Sequence, residues 1–220
     1  MEINNTPQYK PAFQARNLSR VISKTKQGLE TVVDVYSLDS RDKVFINRMS
    51  EVIKGHALPE DTLMIGEKDA KTSVKDSLQH VFSPKKRYSD SLLIAIENKK
   101  KILGILDCRE RGDIDLHTFY MFQDNNRNTG RKALLLQALK NIKRQIDVYA
   151  QIQPERMTEK AKKYFRNLGF GKEFGDKDLL MSNTKIHDKI DKIQNSAAIS
   201  VKEFRSTKNV DLVDVLKLDE

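Results

Sequence analysis

One stretch of the sequence brings together residue types that bind anions, the run from Phe119 to Gln137, FYMFQDNNRNTGRKALLLQ. The aromatic and apolar residues up to Phe122 predict a strand, because such side chains fit a pleated, half-buried surface. A polar loop follows, and apolar residues recur at helical spacing after Gly130. Unpaired N–H groups of a first helical turn attract anions, most often phosphates. The pattern therefore predicts a phosphate-binding turn with Arg127 as an added positive charge, although, taken alone, it also fits a solvated connection.

Two titratable side chains precede this turn on the same predicted strand. Asp115 and His117 are two residues apart in the sequence, so they should extend from the same face of that strand. A histidine accepts a proton near neutral pH more readily than a carboxylate does. Either side chain could therefore act as a general base, and either could simply be a solvated surface residue. Glu110 and Asp113 flank the preceding turn and could instead bind a cationic amine.

The composition bounds the class of protein. Of the 220 residues, 38% are hydrophobic and 32% are charged, which suits a globular protein with a substantial core. No stretch approaches the roughly 18 apolar residues of a membrane span, and the first residues lack the apolar region of a secretory signal. The single cysteine, Cys108, cannot form an internal disulfide and is expected to be a small buried hydrophobe. A cytoplasmic location without membrane contact is expected.

The charge of the chain leaves several partners open. A formal net charge of +9 would attract nucleic acid, an acidic protein or a phosphorylated small molecule equally well. Nucleic acid is not favoured, because aromatic residues are not interleaved with the basic ones. His56, His80 and His187 have no second ligand at a useful spacing, so no metal site is expected.

The elements that must position these residues follow from periodicity and turn signals. The expected order is strand 29–38, helices 41–56 and 73–82, strands 91–97, 101–108 and 114–122, helix 130–145, strand 146–152, helix 159–168, and strands 170–174 and 178–182. A strand–helix–strand crossover makes the strands at 114–122 and 146–152 parallel. The expected fold class is α/β (α+β), with a mixed, mostly antiparallel sheet of about six to seven strands and helices on both faces. Residues 1–28 are expected to form a polar, basic N-terminal arm with a short helix near 16–26, and 183–220 a C-terminal extension with a helix at 185–194.

This order of elements, together with two motifs, resembles the Gcn5-related N-acetyltransferase (GNAT) superfamily. The first motif, Gln/Arg-x-x-Gly-x-Gly/Ala, is matched by Arg127 and Gly130, with Lys132 where the family has a small residue. The second motif, Ala-x-x-aromatic-Tyr-x-x-x-Gly-Phe, resembles the run from Ala161 to Phe170. The resemblance covers residues 29–182, which would form the N-acetyltransferase domain.

The resemblance implies an acyl-CoA-dependent N-acetyltransferase, in which an amine attacks the thioester of acetyl-CoA directly. The pyrophosphate of this co-substrate would lie on the turn, and its pantetheine arm would pair with the edge of the preceding strand. The cofactor-binding residues that the resemblance implies are Tyr120, Phe122, Arg127, Asn128, Thr129, Gly130, Arg131 and Lys132. The acceptor would be an amine-bearing small molecule or protein, and a homodimer is left open.

One departure from the family pattern bears on activity. The tyrosine that donates a proton to the leaving thiolate in the family falls at Phe165 here, so Tyr164 would need a shifted helix to replace it. Tyr164 could equally be a packing aromatic. The alternative function is therefore a catalytically degenerate GNAT-like domain that binds acyl-CoA, or a protein or RNA partner, without turnover.

Overall fold

The computed structural model describes residues 15–24, 30–122, 127–145, 149–172, 177–194, 199–203 and 209–210. The described strands are β1 (Ala15–Lys24), β2 (Glu30–Leu38), β3 (Leu63–Ile65), β4 (Ser91–Glu97), β5 (Lys101–Arg111), β6 (Asp113–Met121), β7 (Ala150–Ile152), β8 (Leu179–Met181), β9 (Ile199–Glu203) and β10 (Asn209–Val210). The described helices are α1 (Lys43–Gly55), α2 (Ala70–His80), α3 (Arg127–Lys143), α4 (Glu159–Leu168) and α5 (Asn183–Gln194), with 3₁₀ turns at Ser40–Asp42, Glu60–Thr62 and Pro154–Arg156.

These strands form one mixed sheet in the order β10-β1-β2-β4-β5-β6-β7-β8, with β3 added beside β6 and β9 beside β1. The pairs between described strands are antiparallel except β6–β7, which is the predicted parallel pair. The predicted fold class is confirmed. The ten described strands exceed the six to seven expected, because β1, β3, β9 and β10 carry no recognisable strand pattern.

Helices cover both faces of the sheet, as the alternation along β4 illustrates. Leu92, Ile94 and Ile96 pack in the cluster that holds α1 and α2, whereas Leu93 and Ala95 belong to the cluster that holds α3, α4 and α5. Successive strand residues point to opposite faces, so a continuous apolar run such as this one marks a strand buried on both sides. The α3 face and the α1–α2 face can therefore carry different parts of a site.

The expected short helix near 16–26 is wrong, because residues 15–24 form strand β1. This strand pairs with β2, and Arg20 donates two hydrogen bonds to the buried carboxylate of Asp34, at 2.7 and 2.9 Å. A buried carboxylate needs such a partner. The place of Arg20 in the fold therefore depends on its bonds to Asp34 on the neighbouring strand, and not on a helical pattern.

The C-terminal segment also joins the main body. The predicted helix at 185–194 is α5, and its Ile186 and Ile190 lie in the core beside α3. Strand β9 pairs with β1. The division into 1–28, 29–182 and 183–220 therefore remains a prediction about which part folds alone.

Several smaller predictions from the sequence can be compared with the structure. The strand expected at 170–174 is represented by a bridge between Gly171 and Leu180, and 173–176 lie outside the described residues. Residues 146–148 of the strand expected at 146–152 also lie outside them. Cys108 is buried as predicted, and burial raises the pKa of its thiol. Within the described ranges, every helix is too short or too polar to cross a membrane.

Tyr36 in β2 allows a test of this packing in alkaline solution. Burial of the side chain, together with the carboxylate of Asp34, raises the pKa of Tyr36 to about 12. The unfolded chain loses this phenol proton near pH 10 while the folded chain keeps it, so folding becomes less favourable as the pH rises. We expect the free energy of unfolding to fall by up to about 2.7 kcal/mol between pH 10 and pH 12.

The measurement is urea unfolding of the wild type and of Tyr36→Phe across this pH range. The phenylalanine variant has the same ring without the titrating group, so its stability should fall less steeply than that of the wild type. Parallel curves for the two proteins would contradict the raised pKa of Tyr36.

Candidate functional site

The first turn of α3 lies beside the end of β6. The helix begins at Arg127, three residues before the predicted start, so Gly130 lies inside its first turn rather than before it. The N–H groups of the first three helical residues, 127–129, have no partner within the helix. Residues 123–126 and the side chains of Arg127 and Asn128 lie outside what the structure describes.

Two glycines let this turn approach the sheet closely. A Cβ on Gly130 would lie 2.9 Å from Cδ1 of Leu103 and 3.2 Å from Cε of Met121. A Cβ on Gly104 would lie 2.6 Å from Sδ of Met121 and 2.6 Å from the carbonyl oxygen of Tyr120. Both glycines therefore make room for Met121, and packing alone explains why residue 130 of the first motif is a glycine.

The described side chains of the turn have different surroundings. Thr129 shares a hydrogen bond of 2.9 Å with the hydroxyl of Ser23 at the end of β1. Lys132 is exposed, so the long side chain at the sixth motif position does not crowd the turn. Arg131 lies over the ring of Tyr164 at 5.1 Å, and its buried Nε has no hydrogen-bond partner among the described residues. A cation with an unused donor thus lies in this turn.

The two adjacent aromatic residues of α4 have different surroundings, because one packs in the core and the other lies beside the α3 turn. Phe165 is fully buried and packs against Phe119 and Phe170, with ring centroids at 6.4 and 5.5 Å. Tyr164 is partly exposed beside Arg131, and burial raises the pKa of Tyr164 although the arginine lowers it. Phe165 therefore belongs to the core, and the phenol of Tyr164 stays protonated at neutral pH on the Arg131 side.

Strands β6 and β7 pair at only two positions and then separate. Ile114 pairs with Ala150, and Asp115 pairs with Gln151. Just beyond, the register between β5 and β6 shifts by one residue at His117, which forms a bulge. Bulges re-aim side chains and occur next to active sites. We call the opening between the two strands the fork.

Asp115 and His117 meet in this fork, with Oδ2 and Nδ1 3.4 Å apart, as their spacing predicted. Both side chains are buried. Arg156 closes the group, because its Nη1 lies 3.0 Å from Oδ2 of Asp115 and 2.5 Å from Nδ1 of His117. Arginine is only a donor, so Nδ1 of His117 accepts this bond and the ring carries its proton on Nε2.

Glu67 completes the group from the loop before α2. Its Oε1 lies 2.8 Å from Nη2 of Arg156 and 3.8 Å from Nε2 of His117. The glutamate side chain is 42% exposed, whereas Arg156 is 7% exposed. In this arrangement His117 has no free acceptor nitrogen, and Glu67 is an accessible carboxylate beside it.

Asp115 is more constrained than a solvated strand residue. Besides Arg156, the guanidinium of Arg111 lies 3.7 Å from its Oδ2. Its other oxygen, Oδ1, is buried and has no hydrogen-bond partner among the described residues. A buried carboxylate oxygen without a donor is costly, so this atom can accept a bond from a ligand or a water.

The strand edge expected to receive a pantetheine arm is occupied by the chain itself. Strand β3 pairs with β6, Leu63 with Tyr120 and Ile65 with Phe119. Tyr120 is fully buried, and its ring packs edge-on against half-buried Phe122 at 4.9 Å. The backbone of β6 near Tyr120 therefore does not present a free edge.

The remaining acidic candidates have structural partners. Glu110 forms an ion pair of 3.3 Å with Arg87, and Asp113 accepts a hydrogen bond from the backbone N–H of Tyr149 at 3.0 Å. In the part of the chain that the structure describes, no three His, Cys, Asp or Glu side chains are grouped as a metal site would require. The fork and the α3 turn are thus the two candidate sites among the described residues.

Comparison with known proteins finds no matching protein-family model and no matching curated protein. Among solved structures, a protein from Exiguobacterium sp. 255-15 described as an acetyltransferase is similar at 11% identity and a TM-score of 0.42, over 71% of this chain and 97% of that one. A mutant AtaT toxin bound to the C-terminus of the antitoxin AtaR is similar at 14% identity and a TM-score of 0.42, over 70% of this chain and 96% of that one. The same toxin mutant and antitoxin segment with acetyl-CoA gives 14% identity, a TM-score of 0.41 and the same coverage. At this level the similarity is to the fold in outline and assigns no activity to this chain.

Proposed function

We propose that the chain is an acyl-CoA-dependent N-acyltransferase that transfers an acetyl group from acetyl-CoA to an amine. The observation that carries the proposal is the placement of the first turn of α3 beside the β6–β7 fork. That turn offers the N–H groups of 127–129, which have no partner within the helix, and the positive charge of half-buried Arg131. Such donors suit a pyrophosphate, whereas the buried charged group in the fork suits an amine.

The fit of acetyl-CoA to the present residues is uneven. The residues of the turn fit its phosphates, because exposed Lys132 leaves the first turn open. The edge of β6 does not fit its pantetheine arm as it stands, because β3 is paired there. When bound, the co-substrate would supply the acetyl group as a thioester.

On the acceptor side, the chain offers carboxylates held by an arginine. Glu67 could bind an ammonium group and accept its proton, since it is the exposed carboxylate at the fork. Arg156 would act as a positioning residue, because it holds Glu67 at the fork before the co-substrate binds and also orients His117. The predicted general bases, Asp115 and His117, are assigned here to orienting the group behind Glu67.

We expect acetyl-CoA to raise the melting temperature of the wild type, because a ligand selective for the folded state stabilises it. Arg131→Ala should weaken binding about tenfold, since it removes a charged donor from the phosphate turn. Lys75→Ala is the matched control, because it removes one charge from an exposed position of α2 on the opposite face of the sheet. Isothermal titration calorimetry measures the affinity of the wild type and of both variants for acetyl-CoA.

Equal affinities for Arg131→Ala and Lys75→Ala would reject the α3 turn as the phosphate site. Absence of any binding by the wild type at millimolar acetyl-CoA would reject the proposed function. If the wild type binds acetyl-CoA, release of free thiol in the presence of polyamines, aminoglycosides or lysine peptides identifies the class of acceptor.

A second candidate function is a non-catalytic domain that binds acyl-CoA or a protein partner. Two observations favour it, the occupied edge of β6 and the core packing of Phe165 where a proton donor would be expected. Binding of acetyl-CoA without thiol release over the whole amine panel would support this candidate over the enzyme.

A further inference from the structure

Strand β3 occupies the position where β6 loses its parallel neighbour. β7 pairs with β6 at Ile114 and Asp115, and β3 pairs with the same strand a few residues later at Phe119 and Tyr120. The loop between α1 and α2 thus supplies an antiparallel strand of three residues that fills the fork. We call Leu63–Glu67 the plug segment.

The plug segment is tied to the far side of the fork through Arg156. The backbone N–H of Gly66 donates to the carbonyl oxygen of Arg156 at 3.0 Å. The carboxylate of Glu67 pairs with the guanidinium of the same residue at 2.8 Å. One backbone bond and one half-exposed ion pair therefore close the end of the plug segment over the fork.

Steric fit holds the plug segment at Gly66 as well. A Cβ on this glycine would lie 2.6 Å from Oγ of Ser73 and 2.9 Å from both terminal methyl carbons of Leu63. A methyl group at this position would force the side chains of Leu63 and Ser73 to move, which loosens the packing of the plug segment. The position of the plug segment therefore depends on the small residue Gly66 as well as on the ion pair.

Extended chains that carry amide groups add to exposed strand edges by main-chain hydrogen bonds. The arm of acyl-CoA between its thioester and its pyrophosphate is such a chain. Under the proposed function, a ligand anchored at the α3 turn reaches the end of β6 first, because Gly130 of that turn packs against Met121, the last residue of β6. The edge that this arm would meet is the edge that β3 already uses.

We propose that the plug segment and the arm of acyl-CoA compete for the same edge of β6, so that binding of the ligand displaces Leu63–Glu67 and releases the Glu67 carboxylate from Arg156 to the acceptor amine. This inference rests on the proposed function and adds its regulation. In the ligand-free chain, the plug segment itself occupies the edge of β6. The apparent affinity for acyl-CoA is therefore lowered in proportion to the fraction of molecules whose plug segment is paired with β6.

Two variants unseat the plug segment by different means. Glu67→Gln removes the charge of the ion pair and keeps the shape, whereas Gly66→Ala adds the Cβ that Leu63 and Ser73 exclude. Each should bind acetyl-CoA about fivefold more tightly than the wild type. Glu110→Gln is the matched control, because Glu110 is also a half-exposed carboxylate paired with an arginine but lies outside the plug segment.

Hydrogen exchange followed by mass spectrometry gives a readout that does not depend on affinity. On addition of saturating acetyl-CoA, the backbone of 63–67 should exchange faster, while 119–121 should stay protected because the arm replaces β3. This opposite response of paired strands is specific to displacement, since simple stabilisation would slow exchange in both.

The outcomes separate the two proposals. Tighter binding by both variants with unchanged binding by Glu110→Gln supports the plug segment. Binding by the wild type with slower exchange at 63–67, or with equal affinity in every variant, overturns this inference and leaves the proposed function standing. Absence of binding by the wild type at millimolar acetyl-CoA overturns the proposed function and this inference together.

Discussion

Replacement of Arg156 by alanine is expected to lower the free energy of unfolding by about 3–5 kcal/mol, because it leaves a buried carboxylate without its main partner. Asp115 is fully buried, and Nη1 of Arg156 lies 3.0 Å from its Oδ2. The same substitution removes the hydrogen-bond donor to His117 and the ion pair with Glu67. Urea unfolding of the variant and the wild type measures the loss.

A double-mutant cycle identifies the cause. Asp115→Asn removes the charge that Arg156 compensates, so Arg156→Ala should cost less in that background than in the wild type. Arg166→Ala is the control for loss of an arginine at an exposed position, and surface changes of this kind stay within about 0.5 kcal/mol. Equal costs of Arg156→Ala in the presence and absence of Asp115 would show that the buried ion pair is not the reason.

Gly104→Ala is expected to destabilise the fold by about 2–3 kcal/mol, because the added methyl group has no space. Its Cβ would lie 2.6 Å from the carbonyl oxygen of Tyr120, which is backbone and cannot rotate away. The strands would have to separate where β5 and β6 pair, beside the first turn of α3. Thermal and urea unfolding both report the loss.

Gly55→Ala is the matched control for this substitution. Gly55 is the last residue of α1, and a Cβ there would meet nothing within 4 Å. The same chemical change should therefore leave stability unchanged or raise it slightly, since alanine favours a helix over glycine. A similar loss in both variants would mean that the close approach at Gly104 does not limit stability.

Much of the fold follows from patterns that the sequence displays locally. Helix α4 is predicted at its observed bounds, because Thr158 accepts a hydrogen bond from the N–H of Ala161 and Gly169 ends the helix with a φ of 105°. The strands β4, β5 and β6 are predicted because their apolar runs are long enough to show a period. Local caps and periodicity thus determine which elements exist.

The features that were not predicted depend on contacts between distant parts of the chain. Strand β3 has three residues, too few for any period, and its place is set by the open edge of β6. Glu67 lies in a loop and Arg156 ends a 3₁₀ turn, and nothing near either residue in the sequence marks it as part of a buried group. Their meeting with Asp115 is fixed by the fork, which only the tertiary structure defines.

For the candidate site, the sequence identified the residue types better than their roles. The contact between Asp115 and His117 follows from strand alternation, but the bond from Arg156 that engages Nδ1 of His117 does not. The sequence shows that Phe165 does not match the second motif, and the structure shows that this side chain packs against Phe119 in the core. Motif positions therefore predicted where a site could lie, while side-chain partners decide what each residue can do.

The pairing of β1 with the last described strands has a consequence for how the chain folds during synthesis. Ala15 pairs with Val210, and Ser19 pairs with Glu203, so these contacts join opposite ends of the described chain. Pairings so distant in sequence form late, and domains synthesised on the ribosome expose unpaired strand edges until then. The outer edge of β1 therefore stays uncovered until almost the whole chain has been translated, and a nascent chain stalled before β9 would offer that edge to a chaperone or to another copy of itself.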